Sequence, residues 1–202
     1  MKKFVPVTIL VFVVGIAGVQ DLSGQSYPVD RGSLLIGGGA SLTSSKTTYP
    51  QGAGGGRSSQ KSSYFSVRPS VQYFVVPGLA LGGDVAIRRW NGGRWSLGGG
   101  PALTYFFLKG ERPWNLYLSG SFHIGKTWEP NERYEDPKFH SYRGALGTVF
   151  MVSKGVGIHT EAFYSVHEEN EGWVEPVDGP GWESKTEQNS YGLSVGISVF
   201  VF

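Results

Sequence analysis

A two-residue alternation of apolar and small or polar positions runs through most of this chain, and it is cleanest at the end. In residues 191–202, Tyr191, Leu193, Val195, Ile197, Val199 and Val201 share one face, while Gly192, Ser194, Gly196 and Ser198 share the other. Successive side chains of a strand point to opposite faces, and no helix gathers such a set on one side. The stretch therefore predicts a strand that is apolar on one face only. Seven earlier segments repeat the pattern, at residues 33–43, 63–75, 79–90, 94–108, 113–127, 139–152 and 156–168. In the second of these, Phe65, Val67, Val71 and Tyr73 alternate with Ser66, Arg68, Ser70 and Gln72. Strands of about 9–11 residues with this dyad period suit a wall with lipid outside and a polar lumen inside.

The stretches between them carry turn chemistry. The connections at Val76, Pro77 and Gly78, at residues 109–112 and at Ser153, Lys154 and Gly155 are short. The Ser/Gly/Thr-rich residues 44–62, the charged residues 128–138 and the polar residues 169–187 read as long loops. Asn91, Gly92 and Gly93 form a hairpin turn by composition, since glycine accepts positive φ. Consecutive antiparallel strands place alternate connections at opposite ends. The three short turns therefore share one end with both termini, and the long loops share the other, as in outer-membrane barrels.

Composition sharpens this picture. There are 31 Gly and 14% aromatic residues, but charged residues make up only 17%, against a usual value of about 25%. Many strands and turns with little water-facing surface fit these values. A net charge of +2 is too small to imply a nucleic-acid partner. With no Cys, disulfides, thiolate metal sites and thiol nucleophiles are excluded. Lys2 and Lys3 precede an apolar run that continues to Val19, the layout of a secretory signal peptide. As a membrane span that run is short and contains Pro6. The expected organisation is a signal peptide at residues 1–24 and a barrel over residues 25–202.

With its signal segment, eight alternating strands, loop asymmetry and aromatic carboxyl terminus, the chain resembles the small eight-stranded outer-membrane β-barrels of Gram-negative bacteria, the OmpA/OmpX type. The likeness covers essentially all of residues 25–202. It implies an all-β, antiparallel, up-and-down transmembrane barrel in the cell outer membrane, monomeric and without a cofactor. Its implied contacts are outer-membrane lipid, lipopolysaccharide and, through the last strand, the outer-membrane insertion machinery. One feature departs from the family. Phe200 and Phe202 lie out of phase with the lipid-facing residues from Leu193 to Val201, so either a bulge shifts them or their rings plug the mouth at the short-turn end.

A soluble barrel of the lipocalin or avidin kind would turn the apolar face inward and leave a Gly/Ser/Ala face to water. Soluble surfaces carry roughly 25–35% charged residues, which that face lacks. Aromatics also gather at both strand ends, Tyr73, Phe107 and Trp114 at one and Trp95, Tyr142 and Tyr191 at the other, as paired interface girdles do. The inward positions then include Arg68, Asp84, Arg88, His123, Arg143, His159 and Glu161. Charges confined in a narrow lumen must find partners. A salt-bridged plug is the expected outcome, with a proton or solute path as the alternative. The hairpin at Val76 allows registers that place Arg68 opposite Asp84 or on its diagonal, with the carboxylate expected between Arg68 and Arg88. At the rim, Arg89, Arg94 and Lys126 are expected to meet lipid phosphates, with Arg89 opposite Trp95 in a cation–π contact.

Catalysis finds little support. His140 is expected outward and His167 inward, so the two cannot share a ligand. Ser119 and Ser121 lie on the face of His123, but i, i+2 neighbours on a strand are ordinary and no acid is near in sequence. The acidic loops lack spaced Asp/Asn ligands for calcium, and no metal site is expected. The sequence thus points to a non-enzymatic barrel, structural or surface-interacting through its long loops. A narrow channel for small or apolar solutes and an outer-membrane lipid-modifying enzyme are the alternatives.

Overall fold

The computed structural model describes residues 29–50, 57–91, 93–107, 112–128, 137–171 and 184–201. The expected signal segment, the barrel's start at residue 25 and Phe202 lie outside the described residues. Eight strands follow one another: β1 (Leu34–Pro50), β2 (Arg57–Val76), β3 (Leu79–Trp90), β4 (Trp95–Phe106), β5 (Trp114–Trp128), β6 (Lys138–Met151), β7 (Val156–Glu171) and β8 (Ser184–Val201). Each pairs antiparallel with the next and β8 pairs with β1, closing the barrel.

The register fixes the tilt. Paired residues lead from Leu34 through Tyr73, Leu81, Leu103, Gly120, Gly144, Tyr164 and Tyr191 back to β1 at Ser44, ten residues above the start. Such a stagger over eight strands inclines them by about 40° to the axis. It also decides which residues share a height, and so which side chains meet across the lumen.

The alternation resolves as expected. Ile36, Leu42, Val71, Leu118, Leu146, Leu193 and Ile197 are exposed on the outer wall, while Ser, Thr, Gly and the charged set face in. Exposed aromatics sit toward the short-turn end (Tyr73, Tyr105, Phe107, Trp114) and toward the other end (Trp95, Tyr142, Tyr164, Tyr191). An apolar wall bounded by two aromatic girdles is stable against a bilayer, not against water. Two glycines meet the turn requirements: Gly78 (φ 86°) closes the β2–β3 turn and Gly93 (φ 90°) the β3–β4 turn. Other inward glycines make room. A Cβ at Gly147 would lie 2.4 Å from the Tyr117 ring, and one at Gly125 would lie 2.6 Å from the Phe139 ring.

Most strand ends fall within two residues of expectation, but two loops were read too long. Residues 44–50 and 57–62, expected in a loop, extend β1 and β2, pairing from Ser44↔Ser63 to Pro50↔Arg57. Residues 169–171 and 184–187 likewise extend β7 and β8. Above the bilayer both faces of a wall meet water, so these segments lose the apolar alternation that marks a strand below. Backbone pairing continues regardless. The wall of β7, β8, β1 and β2 thus rises above the β3–β4 hairpin, whose last pair is Arg89↔Trp95.

Candidate functional site

The lumen is filled in three layers. The lowest is apolar: Val29, Leu35, Phe74, Phe106, Val149, Met151 and Phe200 form one buried cluster. Phe74 and Phe106 lie 5.8 Å apart between centroids, and Phe200 packs 6.4 Å from the first and 6.0 Å from the second. The out-of-phase Phe200 therefore turns inward and stops the lower mouth, with no bulge needed. Val29, ahead of β1, is drawn beneath this cluster by the bond from Gly78 N to Val29 O (2.8 Å).

The middle layer is ionic. β2 and β3 pair as Val67↔Ile87 and Ser70↔Asp84, the register that puts Asp84 on the diagonal of Arg68, and the two side chains form an ion pair. The other Asp84 oxygen accepts from His123 Nε2 at 2.5 Å, while Arg68 also donates to Ser121 Oγ at 3.1 Å. Arg88 is not the second partner of this carboxylate, contrary to expectation. It stands four residues above Asp84 on the same strand, about 13 Å along it, and meets groups at its own height. Arg143 pairs with Glu161 at 2.5 Å, Glu161 accepts from the Tyr117 hydroxyl at 3.3 Å, and the Arg143 guanidinium lies 4.3 Å from the Phe163 centroid. His159 Nδ1 meets Ser198 Oγ at 2.8 Å. Between these pairs and the apolar layer lies a cavity of about 70 Å³, lined by Arg68, Gln72, Asp84, Tyr117, Arg143 and Glu161 among others.

In the upper layer Arg88 donates to His167 Nδ1 (2.7 Å) and to Ser141 Oγ (3.2 Å), with the Tyr64 and Phe139 rings 5.9 and 5.7 Å away. Arg94 is ion-paired with the buried Glu169 and lies 5.4 Å from the Trp90 centroid. This corrects the rim expectation for Arg94. It has the parity of inward Ser96, one step out of phase with outward Trp95, so its side chain reaches the lumen mouth and not lipid.

Arg89 and Lys126 do stand exposed on the outer wall. Arg89 faces Trp95 in register, but the indole stacks on Trp128 (4.1 Å, 16°), and among the described residues Arg89 makes no cation–π contact. The rim holds more cations than sequence reasoning found. Lys126 directly opposes Lys138 across β5 and β6, and Lys46 directly opposes Lys61 across β1 and β2; all four are exposed. Allowing each strand its share of the stagger, these lysines and Arg89 fall within roughly 7 Å of one height. The extra three were missed because they lay in segments read as loops, where parity carries no meaning. His140 faces outward and bonds Glu168 (2.9 Å), while His167 is inside, so the two histidines do not meet.

No protein-family model matches the sequence, and no curated protein matches it. Solved structures do. The barrel is similar to Neisserial surface protein A (NspA), at 17% identity over 84% of this chain and 99% of that one, with a TM-score of 0.55. It is also similar to the outer membrane protein OprG from Pseudomonas aeruginosa, at 12% identity over 86% of this chain and 98% of that one, with a TM-score of 0.50. The fold is that of the small outer-membrane β-barrels.

Proposed function

We propose that this protein is a non-enzymatic, non-conducting outer-membrane barrel that works through its outer surface, structurally or by surface interaction. Residues 1–24 would direct export, and the last strand would present the chain to the insertion machinery. The observation that carries the reading is the filled lumen: an aromatic stopper, two ion-paired sets and a packed arginine layer succeed one another along the axis. A continuous water path would have to pass the aromatic stopper and the buried ion pairs, and disrupting such a pair is costly. Function is then left to the raised wall of β7, β8, β1 and β2, to the loops and to the rim.

The rim supports a lipopolysaccharide contact. Like charges directly opposed on a sheet destabilise it, yet this barrel repeats the arrangement twice at one height, just above an aromatic girdle. Phosphates of the outer leaflet's lipid, standing between Lys126 and Lys138 and between Lys46 and Lys61, turn that repulsion into charge-assisted bonding. Planar-bilayer recording on the purified protein tests the main reading. Silence at all voltages is expected, and a steady open conductance would refute it.

A further inference from the structure

We propose that the upper lumen binds a small inorganic anion against Arg88. Among the described residues, three of the four inward arginines carry a carboxylate: Arg68 has Asp84, Arg94 has Glu169 and Arg143 has Glu161. Arg88, only 5% exposed, has none. Its hydrogen-bond partners are an imidazole nitrogen and a hydroxyl, and its flanks are two aromatic rings. The nearest acid below, Asp84, has one oxygen on Arg68 and the other on His123; the acid above, Glu169, is ion-paired with Arg94 through one oxygen, while its other oxygen is buried and makes no hydrogen bond. Neither acid touches this guanidinium, and a buried cation left to distant counter-charge is costly, so the site favours an anion from solution.

The surrounding polar atoms fit that charge. Because His167 Nδ1 accepts from Arg88, the imidazole proton sits on Nε2, and that buried N–H has no partner. The Ser96 and Thr127 hydroxyls are fully buried and also unpartnered. Ser96 stands directly across from Arg88 on β4, and Thr127 directly across from Ser96 on β5. An orphaned N–H and two orphaned hydroxyls thus lie in the layer of the inward arginine that, among the described residues, has no direct carboxylate contact. The guanidinium and the imidazole N–H can only donate, which favours an anion there over a metal cation, while the two hydroxyls can serve either. The ion pairs and the aromatic stopper lie beneath this layer, so the ion would enter from the opposite end.

Crystals of the purified protein grown in bromide test the assignment. An anomalous peak within hydrogen-bond reach of the Arg88 guanidinium is expected, and its absence there overturns the proposal. In solution, replacing gluconate by chloride at constant ionic strength should raise the unfolding midpoint by several degrees. Arg88→Met should lose that shift entirely. Should that variant not fold, Ser96→Ala with Thr127→Val, which leaves every recorded contact of Arg88 in place, should at least halve it. Equal midpoints in the two salts for the unmodified protein, or an unchanged shift in either variant, would refute the anion site. Conductance does not enter this test, so its failure is separable from a failure of the non-conducting reading.

Discussion

Asp84→Ala is the most informative single change in the lumen. The Asp84 side chain is 2% exposed and its carboxylate holds two partners, Arg68 and His123. Its removal leaves Arg68, with a side chain 18% exposed, facing an imidazole that is fully buried. Removing one partner of a buried pair costs about 3–5 kcal/mol, because the survivor is left uncompensated. At about 2–4 °C per kcal/mol for a chain of this size, the unfolding midpoint should fall by roughly 6–20 °C. Arg68→Ala should cost less, since Asp84 keeps the His123 bond. The double variant should be more stable than the sum of the two singles implies, with a coupling of about 0.5–3 kcal/mol. Urea unfolding in detergent, followed by tryptophan fluorescence and by the gel shift between folded and heated forms, measures all three. An Asp84→Ala midpoint within about 2 °C of the parent, or strictly additive singles, would show that this contact does not hold the lumen together.

Other consequences are as direct. Lys126→Ala with Lys138→Ala should remove about half of the thermal stabilisation that added lipopolysaccharide gives, the Lys46 and Lys61 pair carrying the rest, while leaving stability in a neutral detergent unchanged or slightly higher. Phe200→Ala should cost about 3–5 kcal/mol in urea unfolding, because the ring fills the lower mouth against Phe74 and Phe106. Gly147→Ala, whose new methyl would strike Tyr117, should cost about 1–3 kcal/mol as overpacking. Adding Tyr117→Leu should recover part of that loss.

The strand pattern was legible because a lipid-facing wall needs an uninterrupted period of two, and turns interrupt it at Gly78 and Gly93. The even register of β2 and β3 followed from the same rule, since any odd shift would turn Phe65 and Val71 into the lumen. The strand extensions at 44–50 and 57–62 were not legible. A segment such as Ser44, Ser45, Lys46 and Thr47 alternates nothing hydrophobic, because above the bilayer neither face needs to be apolar. Misreading them as loop removed Lys46 and Lys61 from the rim, and the same error removed Lys138.

Inside the barrel, parity settled which residues face the lumen but not which of them touch. Arg88 meets His167, 79 positions away, and Arg94 meets Glu169, 75 positions away. Those partners are chosen by height, and height depends on the ten-residue stagger, which is a sum over all eight pairings and is written in no single segment. Assigning Arg88 to Asp84 from their shared strand ignored it. Four residues along a tilted strand is already a different layer, and a lumen this narrow lets a side chain reach across more readily than down. The stagger also explains why a chain with nearly balanced lumen charge leaves one arginine without an acid. Charge balance over the whole interior does not bring Glu161 or Asp84 to the level of Arg88, and a counter-ion that can diffuse is the one partner that register does not constrain.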